Sequence, residues 1–146
     1  MKKKKFSKDL GINLKSGKEE EFFKWFLACL LFGKPIQQEV AKRTYFEFEK
    51  EGILTPEKIL KAGWNKLVEV LDRGHYVRYD FSTATKLLNI CKELKEKYGR
   101  HPPHHPLTNL LKKAKNKKDL EKKLQEFKGV GPVTARIFLR DLKSIK

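Results

Sequence analysis

Phe127-Lys128-Gly129-Val130-Gly131-Pro132-Val133-Thr134-Ala135-Arg136-Ile137-Phe138 sets two glycines around one apolar residue and a proline directly after them. Glycine takes positive φ at little cost, so Gly129-Val130-Gly131 suits a tight turn with its N–H groups pointing outward. Pro132 stands where a helix would begin, a position that tolerates a missing N–H. Val133, Ile137 and Phe138 then recur at helical spacing. The stretch predicts a turn feeding a helix N-terminus. Free amides backed by the positive end of a helix dipole suit a phosphate. Lys128, Arg136 and Arg140 add formal charge there, and Thr134 adds a hydroxyl donor. A glycine junction between two helices would use the same letters, so the short motif alone decides little.

Working outward, Asn116-x-x-Asp119 has the form of an N-cap for the helix before the turn, giving a helix–turn–helix unit over 117–142. Upstream, Arg100-His-Pro-Pro-His-His-Pro106 cannot be helical. Leu107 to Ala114 reads as a short helix. Asp80 or Ser82 caps a longer helix running to about Tyr98, with Leu87, Leu88, Cys91, Leu94 and Tyr98 on its apolar row. Trp64 to Leu71 forms a short helix with Trp64, Leu67, Val68 and Leu71 inward, after a break at Ala62-Gly63. Thr55-Pro56 starts the helix before that break. A helix from Pro35 or Ile36 to Glu51 turns Val40, Tyr45 and Phe48 inward. Glu19 to Phe32 is apolar on most sides and should be central. No window alternates like a strand. The fold class is all-α, seven or eight helices in one domain over 19–146, preceded by a basic segment over 1–18 that is expected to be flexible.

Composition narrows the partners. The 146 residues carry 34 Lys and Arg against 18 Asp and Glu, a net charge of +16. From Arg100 onward there are thirteen basic residues and four acidic ones, so the excess concentrates around the turn. Such basicity predicts a polyanionic partner, although a Lys- and Glu-rich chain can also carry it as solvated surface. The most apolar run, Phe22 to Phe32, is short and interrupted by Lys24, which suits a buried helix rather than a membrane span. No signal peptide is expected: Phe6-Ser7-Lys8-Asp9 follows the N-terminal lysines, and a cytoplasmic setting is the default. Cys29 and Cys91 sit in helical apolar patterns as small core residues, and two cysteines cannot ligate an iron–sulfur cluster. His101, His104 and His105 match no metal-ligand spacing, so neither a metal nor another cofactor is expected.

The pattern L-x-x-F-K-G-V-G-P-x-T-A-x-x-F-L over Leu124 to Leu139, following an amphipathic helix, resembles the helix-hairpin-helix of the base-excision DNA glycosylase superfamily, in its endonuclease III branch. A looser likeness runs from about Glu19 to Leu142, through Leu30-Leu31-Phe32-Gly33 and Ser82-x-Ala84. The resemblance implies a DNA-repair protein that binds damaged duplex DNA through Lys128, Gly129, Val130, Gly131, Thr134, Arg136 and Arg140. It would flip the target nucleotide out of the stack, since the reacting atom is unreachable inside it. The family's plugging glutamine falls on Lys34, with Gln37 close by. Its apolar wedge falls on Tyr79, beside Arg78 and Tyr76, where an aromatic ring can stack on bases. Tyr76 and Tyr79 could equally close the core.

The chain departs from the family at the chemistry. The Schiff-base lysine of bifunctional members falls on Val133, which has no nucleophile. The family's catalytic aspartate falls beyond Lys146. If active, the protein is expected to be monofunctional. Asp80 and Asp141 are the replacement candidates, against ordinary readings as a helix N-cap and a solvated surface acid. The alternatives are a DNA-binding protein without catalysis, or half of a split glycosylase completed by its own dimer or by a partner chain. In a prokaryotic cell it would associate with the nucleoid.

Overall fold

The computed structural model describes residues 7–142 and is all-helical. Among the described residues there are seven α-helices and no strand: α1 (Glu19–Phe32), α2 (Gln38–Glu51), α3 (Pro56–Arg73), α4 (Asp80–Tyr98), α5 (Pro106–Lys113), α6 (Lys117–Gln125) and α7 (Pro132–Leu142). Short 3₁₀ turns occupy Ser7–Leu10, Leu14–Ser16 and Val77–Tyr79.

α1 is the hub, as its pattern predicts. Phe22, Phe23 and every residue from Trp25 to Leu31 are buried, and α2, α5 and α7 pack around it. Indole Nε1 of Trp25 donates to the carbonyl of Phe138 at 3.2 Å, tying α1 to α7. The rings of Phe26 and Phe138 meet edge to face at 5.6 Å. α3 lies against α2 and α4, and α4 reaches α5.

Two helix starts follow the sequence signals closely. Thr55 Oγ1 accepts from Lys58 N–H at 3.1 Å, with Pro56 next to it. Asn116 and Asp119 form a reciprocal cap: Asn116 Oδ1 accepts from Asp119 N–H at 2.8 Å, and Asp119 Oδ2 from Lys115 N–H at 2.9 Å. α5 is capped from a distance by Glu19, which accepts from Leu107 N–H, Thr108 N–H and Thr108 Oγ1–H at 3.1, 2.8 and 2.9 Å. Burial pushes the Glu19 pKa up, and these donors pull against it.

Four expectations need correction. Residues 7–18 are not a loose tail, because Leu10, Ile12 and Leu14 are buried in the core. Lys2 to Lys5 lie outside the described residues. α2 begins at Gln38, later than expected. α3 breaks at Gly63 (φ 81°) as foreseen. That break turns Trp64 outward rather than inward: the residue is 38% exposed, its ring meets that of Phe81 at a tilt with centres 5.1 Å apart, and its indole N–H donates to Thr85 Oγ1 at 3.0 Å. Asp80 is not the N-cap of α4 but its first residue, and its carboxylate accepts from Phe81 N–H at 2.7 Å.

Candidate nucleic-acid interface

The α6–α7 connection is a six-residue turn, 126–131, anchored by two apolar side chains. Phe127 and Val130 are buried, and Val130 N–H closes the turn onto Phe127 O at 3.0 Å. Val130 therefore contributes packing, with its amide already spent inside the turn. Gly129 adopts φ 100°, a conformation open to glycine and strained for any other residue. Among the described residues the amides of Lys128, Gly129 and Gly131 find no acceptor. They sit at the entrance to α7, where the helix dipole favours an anion. A β-carbon on Gly131 would meet nothing within 4 Å, so this edge faces open space.

The charged residues around the turn differ in availability. Lys128 is exposed. Arg136 is exposed too, with Glu121 Oε2 at 3.7 Å from its Nε. Arg140 is half-buried and donates from Nε to Asp141 Oδ1 at 3.2 Å. Thr134 is a correction: it is buried and faces Gly33, where any β-carbon would overlap its hydroxyl. It packs α7 onto the end of α1 and does not face solvent. Val133 is 54% exposed beside the turn.

Tertiary structure brings three separate segments to the same place. Gly33 ends α1 against Thr134 of α7, so the loop that follows it lies beside the hairpin. From that loop Lys34 places its ammonium 5.1 Å from the ring centre of Tyr79, and Arg78 stands 5.8 Å from the same ring. Lys34, Arg78 and Tyr79 thus form one cation–aromatic cluster. Gln37 is exposed at the start of α2. Tyr76 is apart from this group: it is fully buried, and its hydroxyl donates to Leu31 O at 2.5 Å.

Lys86 is the residue that sequence patterning missed. It lies in the second turn of α4, half-buried, with its stem packed against Gly129. Burial first, and then the nearby charge of Lys34, pushes its amine down to about 8. Nothing in the letters marks it, because an apolar neighbour comes from a hairpin more than forty residues away.

The two candidate carboxylates have different partners. Asp141 is a correction, since its side chain is only 7% exposed. It accepts from Ser7 N–H at 2.6 Å as well as from Arg140, which pins the N-terminal turn to α7. Asp80 lies beside Asp72, and a hydrogen bond to Asp80 raises the Asp72 pKa. Among the described residues no three His, Cys, Asp or Glu side chains gather to hold a metal ion. His104 Nδ1 instead lies 2.8 Å from Gly99 O. Cys29 and Cys91 are buried thiols, their pKa values raised by desolvation. No helix among the described residues is long and apolar enough to cross a membrane. The chain matches no family model, no curated protein and no solved structure.

Proposed function

We propose that this chain binds duplex DNA, preferring a damaged site, and serves base-excision repair as a protein of the helix-hairpin-helix glycosylase type. The observation that supports the reading most is a convergence. A turn with three unclaimed amides, a loop carrying Lys34 and a loop carrying Arg78 and Tyr79 meet on one face. The amides and lysines suit backbone phosphates, and the Tyr79 ring suits an unstacked base. Contacts of that kind position a protein without reading sequence, so binding has little sequence preference and a steep salt dependence. Base release, where it occurs, is monofunctional, because Val133 offers no amine for a Schiff base.

A second reading, binding without catalysis or as half of a split enzyme, has its own support. Asp141 is occupied in holding Ser7 and Arg140, and Asp80 is engaged by its own backbone neighbour. The deciding experiment is a single-turnover assay on duplexes carrying uracil, 8-oxoguanine, an alkylated purine, an oxidised pyrimidine or a mismatch. Strand breakage only after hot alkali, for one lesion, supports the glycosylase. Retained salt-sensitive binding with no release on any duplex supports the silent binder. Equal affinity of wild type and Gly131→Asp for every duplex would remove both.

A further inference from the structure

We infer that Lys86 and Lys34 together hold one phosphodiester group of a bound DNA strand beneath the Gly129 turn. The inference rests on the DNA reading above and adds a contact that the hairpin does not make alone.

The geometry comes first. A β-carbon on Gly129 would come within 2.5 Å of Lys86 Cδ and 2.7 Å of its Cγ, so the turn lies directly on the lysine stem. Lys34, from the α1–α2 loop, is the charged group that bears on this amine, its charge adding to the effect of burial. The turn itself presents Gly129, with Lys128 adjacent in sequence. One helical turn away on α4 stand Ser82, Thr83, Asn89 and Ile90, none of which titrates near neutrality. Among the described residues neither Lys86 nor Lys34 has a carboxylate partner, and the ion pairs formed there lie elsewhere.

Two cations held together without an anion repel, and covering one of them removes hydration that would relieve it. A single anion between them reverses both penalties. A phosphodiester fits because it carries one charge, does not titrate near neutrality, and can also accept from the unclaimed amides of Lys128 and Gly129. The bound anion favours the charged amine. In the free protein that amine titrates at about 8. Below that pH it is already protonated and binding moves no proton. Above it the complex must acquire one, so affinity falls as pH rises.

The test is fluorescence anisotropy with a rhodamine-labelled undamaged duplex at constant ionic strength from pH 6.5 to 9.5. Wild type should lose about threefold to tenfold in affinity with an inflection near 8. Lys86→Gln should bind about fivefold more weakly at pH 6.5 and show no inflection. Lys86→Arg should match wild type at pH 6.5 and stay flat, because its guanidinium does not titrate there. The same inflection in Lys86→Arg, or wild-type affinity in Lys86→Gln at pH 6.5, would overturn the inference. A second arm needs no DNA: sodium sulfate, against chloride at equal ionic strength, should shift the Gly129 amide in an NMR titration of wild type but not of Lys86→Gln. Wild type that binds no duplex yet gives that shift keeps the anion site and removes the DNA reading. No shift in wild type, or the same shift in Lys86→Gln, removes the anion site.

Discussion

Two faces of this molecule handle positive charge in opposite ways. On the α2–α3 face, Arg73 and Lys66 interlock with Glu51 and Glu69, so four charged side chains neutralise one another. On the hairpin face, Lys34 and Lys86 adjoin a turn with unclaimed amides, and among the described residues neither lysine has a carboxylate partner. Both faces raise the lysine and arginine count, yet only one leaves a field unanswered. The sum of +16 marks a polyanion binder only weakly. The location of the unpaired part of that charge says where a polyanion would sit.

The largest effect expected from this contrast is on affinity. Gly131→Asp adds a negative charge at the turn, in open space and at a position without positive φ, so the fold should tolerate it. Duplex affinity should drop about tenfold to a hundredfold in filter binding or anisotropy. An unchanged melting temperature would assign the loss to charge rather than unfolding. Next comes a carboxylate that does structural service. Glu19→Ala strips three donors at the start of α5 and should cost about 2 kcal/mol in urea unfolding, with duplex affinity little altered.

Lys86 sharpens the comparison through pH. Its folded pKa lies below that of the unfolded chain, so the unfolded state holds more protons between about 8 and about 10.4. Stability contributed at this site is therefore lowest below pH 8 and recovers as pH rises through that window. Lys86→Met should raise stability at pH 7 by about 1 kcal/mol, after allowance for the part of the amine that remains hydrated, and should lose that advantage by about pH 10.5. A gain that persists unchanged at high pH would show that packing, not charge, was responsible. The smallest effect belongs to the neutralised face. Glu51→Gln should leave duplex affinity within error, and exposed pairs of this kind add little stability. A clear change in affinity would erase the distinction between the two faces.

Several helices were legible because they carry their own punctuation. Asn116 with Asp119, Thr55 with Pro56, and the acidic first turn of α1 sit at the ends they announce. The centrality of α1 follows from its being apolar on most sides. Misreadings arose where a partner comes from far along the chain. Thr134 resembles a solvent-facing donor until Gly33 is placed against it, and Asp141 resembles a surface acid until Ser7 reaches it across 134 positions. Helical period places Trp64 inward, yet the Gly63 break shifts the phase of the helix after it. Lys86 has no signature of its own, since its environment is built by the turn that lies on it.

The all-α class, most helix boundaries and the tight turn before α7 can be read from local sequence. Those depend on interactions within a few residues: caps, glycine dihedrals and the 3.6-residue period. Tertiary structure alone decided which cations lack partners, which hydroxyls and carboxylates are internal, and that the loops of Lys34 and Tyr79 adjoin the hairpin. Desolvation and charge pairing are set by whatever lies within a few ångströms, and in a folded chain that neighbour is often remote in sequence.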